Sequence, residues 1–308
     1  MPSENPEFGE PEFLGWTLLQ QLKEQSDDQI SRSKFLKLCC ITDRRLQTEH
    51  DFDVGLPRYW YMYGELANQH EFSARFYNAP RAIGWEGQQY LPKELPVDAF
   101  DVSADDAELI SRVVSTVVRE FGRENVETIK RHQYEEHAET QFIREYCELR
   151  WLLNTIDLGS QVRLPNYTDG ESNEAYVRGK LDAMIESYPR EEERYDDVEA
   201  LYLRWDDTVR LMLDQSLEYS RVAEFLDDFI TALSKAVLRF TYNQHISAER
   251  LDDWELDAAE EKSAFASRLR ETRRELLDDR PRSGELDGVS EAYSQTVEEQ
   301  IERLIGRE

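Results

Sequence analysis

Glycine, proline and cysteine are all scarce: 13, 10 and 3 residues in a chain of 308. Each shortage removes a class of protein. There is no Walker-type phosphate loop, no G-x-G-x-x-G after a strand and no G-x-S-x-G nucleophile turn. Cys39 and Cys40 are adjacent, Cys147 stands alone, and no CxxC spacing occurs, which argues against a disulfide framework or a zinc ribbon. The adjacent pair lies in an apolar helical stretch and reads as inert packing. No segment has 18 uninterrupted apolar residues, and the opening "MPSENPEFGEPEF" has neither a basic region nor an apolar stretch of signal length. A soluble, cytoplasmic protein with no membrane partner is the expectation.

Positive charge is the other shortage. Lys and Arg together number 37 against 65 Asp and Glu, for a net charge of −28, and Arg far outnumbers Lys. The acidic residues are spread along almost every helix, and aromatics make up 11% of the chain, which argues against an acidic disordered tail. This pattern reads as a folded protein of a haloarchaeon, whose carboxylates keep it soluble in molar salt where charges are screened within about 3 Å. On that reading, net charge does not exclude DNA as a partner.

The length allows two domains, each with its own core. Residues 1–13, rich in Pro, Glu and Gly, read as a flexible arm. Helical periodicity follows through Trp16, Leu18, Leu19 and Leu22, then through Ile30, Phe35, Leu38, Ile41 and Leu46, with caps expected at 26–28. The character changes at "DVGLPRYWYMYGE", residues 53–65, where aromatics crowd between Gly55-Leu56-Pro57 and Gly64. On a strand, Tyr59, Tyr61 and Tyr63 would share one face and Trp60 and Met62 the other, one face core and the other a working surface. Two short strands joined by a turn are expected within 72–91. The fold class is therefore mainly α with a small β-hairpin: a winged-helix-like domain over 14–100, a helical extension over 101–160, a linker over 161–175 and a helical domain over 176–308. A Ser103 cap and Gly122 bound one helix, and a longer helical run covers 126–158. Val222, Phe225, Leu226, Phe229, Ile230, Leu233, Val237 and Leu238 form a stripe that is either core or a partner-helix surface. Further helices are expected near 255–277 and 289–305.

Chemistry is harder to place. "KRHQYEEHAE" spaces Arg131 and His137 as in metal-independent RNases of the HEPN type, but Arg45 with His50 and Arg239 with His245 meet the same loose spacing. A solvated helix face is the plainer reading. His132 and His137 are offset wrongly for a shared metal, and "EHDFD", residues 49–53, lacks the glycine and length of a calcium loop. No catalytic residue, metal or cofactor is assigned. Arg58, Tyr59, Trp60, Tyr61 and Tyr63, with Arg75 and Arg81, are the candidate binding residues, because aromatics and Arg favour interfaces.

"KFLKLCCITDRRL", residues 34–46, followed by "RYWYMYGEL", residues 58–66, resembles the Panacea (SocA-like) domain family over about residues 33–91. Phe35, Leu36, Lys37, Leu38 and Ile41 match its Lys-Leu-rich helix, and Trp60, Tyr63 and Gly64 match its aromatic segment, with Glu65 in place of the family's Pro. The resemblance implies a compact, mainly helical domain that acts by binding, as an antitoxin or as an adaptor delivering a client for proteolysis. The leading expectation is a non-enzymatic regulatory or interaction protein with a protein partner (a toxin or a client) or self-association through helices. One alternative is a winged-helix DNA-binding regulator using Arg44, Arg45, Arg58, Arg75 and Arg81. The other is a HEPN-like RNase.

Overall fold

The computed structural model describes residues 8–25, 30–69, 71, 77–78, 91–92, 95–157 and 173–278. The protein is mainly helical with a small antiparallel sheet. Helix α1 (Glu10–Gln25) starts inside the expected arm, because Phe13 and Leu14 are buried and Phe8 packs at a tilt on Phe100, 5.5 Å between ring centroids. Residues 8–13 are therefore packed. Helix α2 (Arg32–His50) is capped by Ser31, whose Oγ accepts from Lys34 N at 3.3 Å, and it ends at Asp51 in the left-handed region. The caps expected at 26–28 lie outside the described residues.

Strand β1 (Arg58–Trp60) pairs with β2 (Glu65–Ala67), and β3 (Tyr77–Asn78) with β4 (Leu91–Pro92), all antiparallel. Arg75 and Arg81 lie outside the described residues. Helix α3 (Ala104–Phe121) takes its cap from Ser103, carries Asp105 and Asp106 where the helix dipole favours them, and buries Ile110, Val113, Val114, Val117, Val118 and Phe121. The expected run over 126–158 is two helices, α4 (Val126–His137) and α5 (Gln141–Asp157), separated at residues 138–140. Then come α6 (Asn173–Glu186), α7 (Glu193–Asp214) and α8 (Tyr219–Leu233). A π-helical turn, Ser234–Leu238, leads into the short α9 (Arg239–Thr241). Strand β5 (Asn243–Gln244) then joins the far side of β1, and α10 (Ala248–Asp278) completes the described chain. The helix expected at 289–305 lies outside the described residues.

Two hydrophobic cores result. The first is built from α1, α2, α3 and the start of α4, through Ile129. The second contains α5 to α10, from Phe142 to Leu276, together with Tyr134 and Trp60. The expected boundary at 161–175 therefore does not separate cores: Leu149 and Leu153 before it share one with Val177 and Leu181 after it. Pro165 and Gly170, which mark that span in the sequence, lie outside the described residues. The separation runs through α4 and the β1–β2 hairpin, each of which contributes to both cores, and β5 draws its residues from well beyond the span 14–100.

The stripe on α8 and the π-turn is core. Val222, Leu226, Ile230, Val237 and Leu238 are fully buried, and Trp205 of α7 stacks on Phe229 at 4.8 Å. It is covered by this chain's own helices and is not a free partner surface. Among the described residues, no helix is long and apolar enough to cross a membrane.

Candidate functional site

β1 stops at Trp60, and residues 61–64 turn the chain back into β2, with Tyr61 N donating to Gly64 O at 3.0 Å. The strict alternation expected of the aromatics therefore ends after three residues. Two positions in this turn have positive φ: Met62 at 51° and Gly64 at 145°. A methionine in the left-handed region is strained and must be held by its surroundings. Met62 N donates to Ser234 Oγ at 2.8 Å, and Met62 O accepts from Trp60 Nε1 at 3.0 Å and from the Tyr146 hydroxyl. Ser234 opens the π-helical turn, so two local departures from regular structure are joined by one hydrogen bond.

The turn forms one wall of a cleft of about 880 Å³ at the junction of the two cores, where Tyr61, Met62 and Tyr63 face residues of α2, α4, α5 and α8. Opposite lie Tyr134 and Trp151, and the Arg131 guanidinium rests over the Trp151 ring at 5.0 Å. Among the described residues, the lining carries four cations, Lys37, Lys130, Arg131 and Arg150, against two carboxylates, Glu127 and Asp227. In a chain of net charge −28, this local excess of positive charge stands out.

Three of those cations have acidic partners: Lys130 with Glu127 at 2.7 Å, Arg131 with Glu135 at 2.6 Å, and Arg150 with Asp227 at 2.6 Å. Tyr63 donates its hydroxyl to the same Asp227, so the hairpin is tied to α8 and α5 together. Lys37 differs. It is 4% exposed, and its ammonium donates to two neutral acceptors, Gln133 Oε1 at 2.7 Å and the Glu65 carbonyl at 3.4 Å. Burial pushes its pKa down to about 8, and the nearby Lys130 adds to the effect. A Cβ on Gly64 would collide with the Gln133 amide and sit 2.8 Å from Lys37 Nζ, so a side chain here would displace the pair that holds the ammonium, and the φ of 145° itself favours glycine.

The remaining candidates are distributed differently. Arg58 is 2% exposed: it donates to Asp43 at 2.6 Å, to Glu65, to Gln47 at 3.0 Å and to Gln244 at 2.7 Å. It is a structural cross-link beneath the sheet rather than a surface contact. Arg44 binds Glu65 and Glu139, and Arg45 binds Glu120. The three described arginines of the expected DNA surface are thus already matched by carboxylates of the chain. Trp60 is fully buried, and Tyr59 packs on Trp254 of α10 at 4.9 Å. Of the aromatic cluster, Tyr61 and Tyr63 reach the cleft.

Arg131 lines the cleft, whereas His137 is turned toward His132, ring centroids 5.6 Å apart, and burial lowers the pKa of both imidazoles. Six residues along a helix rotate a side chain to another face, and the structure does not bring Arg131 and His137 together. Cys39, Cys40 and Cys147 are free and buried, with burial raising each thiol pKa. Sequence reasoning did not single out Lys37, Gln133, Trp151 or Arg150 as site residues. The signal present was Lys37 itself, a lysine within the apolar run "FLKLCC" in a lysine-poor chain. No family model matches this chain, and the comparisons with curated proteins and with solved structures give no match either.

Proposed function

We propose that this protein acts by binding, as a non-enzymatic regulatory or interaction protein whose cleft at the β1–β2 turn receives an acidic segment of a partner protein. The observation that carries this reading is the cleft's composition: an aromatic turn held in a strained conformation facing an excess of cations within a strongly acidic chain. Clefts of a few hundred to about a thousand Å³ with apolar walls and a few placed polar groups are the usual form of a binding site. Tyr, Trp and Arg are the side chains that dominate interface energetics. Lys37, Tyr63 and Gly64, which belong to the Panacea-like stretch, meet at this cleft, in keeping with an antitoxin-like or adaptor-like role.

A photo-crosslinking residue at Tyr61 tests the reading, with the same residue at Leu256, 74% exposed on α10, as the control. Irradiation in a native-host extract is expected to give a discrete protein adduct at position 61, none at 256, and a reduced yield when Trp151→Ala is added. The same adducts at both positions, or indifference to Trp151→Ala, would rule out the cleft as the receptor.

A further inference from the structure

Lys37 is the feature of the cleft that its internal partners leave incomplete. An ammonium has three N–H donors. Gln133 Oε1 and the Glu65 carbonyl take two, and neither carries charge. The nearby Glu65 carboxylate is engaged by Arg44 and Arg58, and Lys130, which also bears on Lys37, is engaged by Glu127. A buried cation without an opposite charge is costly, and a protein that keeps one ordinarily gives it an anion. Here the lysine lines the cleft, so the anion can come from outside.

The surroundings also restrict the form of that anion. On one side Gly64 leaves no room for a side chain, since a Cβ there would sit 2.8 Å from the ammonium, and Gln133 with the Glu65 carbonyl holds it on another. A chain end presents its carboxylate on the main chain itself, with no side chain of its own to order beside an ammonium this enclosed. We infer that Lys37, Gln133 and the Gly64 turn form a subsite for the C-terminal carboxylate of the partner segment, with the preceding side chains against Tyr61, Tyr63 and Trp151. This inference rests on the binding reading above and adds to it the polarity of the bound segment. A carboxylate on Lys37 would fill the third donor and neutralise the buried charge in one contact.

The test compares pooled N-acetylated pentapeptides that end in a free carboxylate with the same pool ending in a carboxamide. A third pool is amidated and carries Asp or Glu at its last position. Affinity selection on the full-length protein, followed by anisotropy titration of the best binders, is expected to favour the free acid over its own amide by about tenfold or more. Lys37→Met is expected to abolish that ratio. The acid-to-amide ratio is read on the unaltered chain, so the test survives a misfolded variant. Equal affinity for acid and amide overturns the carboxylate subsite and leaves the cleft reading intact. Preference for the amidated Asp/Glu pool overturns the chain-end assignment and moves the anion to a side chain. Absence of binding in every pool also overturns the inference, while the crosslinking result at Tyr61 decides separately whether a partner uses the cleft.

Discussion

At Gly64 the main chain runs at a φ of 145° directly beside the Lys37 ammonium and the Gln133 amide. Alanine there meets two independent penalties, a conformation L residues avoid and a collision with side chains that are themselves hydrogen-bonded. Gly55 is the natural control: its φ is also positive, at 70°, but a Cβ there meets nothing within 4 Å. Gly64→Ala is expected to cost about 2–4 kcal/mol in denaturant unfolding, and Gly55→Ala about 1 kcal/mol. Similar costs at the two positions would mean that the close approach to Lys37 contributes nothing. As a turn residue Gly64 was legible in the sequence, since it ends an aromatic run. Its need to be glycine was not, because the atoms that exclude a methyl group come from α2 and α4. Arg58 was misread for a similar reason. An arginine beside aromatics resembles an interface residue until Asp43, Gln47, Glu65 and Gln244, spread over most of the chain, are found around it.

Elements were easier to read than their partners. Helices α1, α2, α3 and α8 carry apolar residues at helical spacing, and each buries that face. Periodicity reports which face is apolar but says nothing about what covers it, so the α8 stripe could not be assigned to core or interface in advance. The hairpin and the π-turn depend on each other more than on their own sequences. Ser234 is fully buried and its hydroxyl accepts the Met62 N–H, which is the main-chain donor of a strained residue. Ser234→Ala removes that acceptor and leaves a partly buried N–H unmatched, at a cost of about 1–3 kcal/mol. Amide exchange at Met62 is expected to accelerate in this variant more than at Val113 or Val117 within α3, which belong to the other core. Uniform acceleration would indicate general destabilisation and would detach the π-turn from control of the cleft wall.

For the whole molecule, the two cores meet at α4 and the hairpin, and the charge excess opposes holding them together. The chain carries a net charge of −28, so many carboxylates have no cation to face even if every Lys and Arg is paired. Exposed ion pairs such as Arg190–Glu199 and Arg221–Glu275 weaken as salt rises, but pairs of that kind are worth about 1 kcal/mol or less. The buried links among Arg58, Asp43 and Glu65 are shielded from salt. Repulsion among the surplus carboxylates is long-ranged at low salt and collapses as the Debye length falls from about 10 Å at 0.1 M to about 3 Å at 1 M. Relief of repulsion should therefore outweigh the loss of surface pairs. The unfolding midpoint is expected to rise by several degrees between about 0.1 M and about 1 M KCl. Most of that rise should appear at the lower concentrations, where screening changes fastest, which separates it from the steady increase produced by salts excluded from apolar surface. A midpoint that stays level or falls would mean that repulsion among the surplus carboxylates costs the folded state little, and would remove the physical basis for reading the acidic surface as an adaptation to concentrated salt.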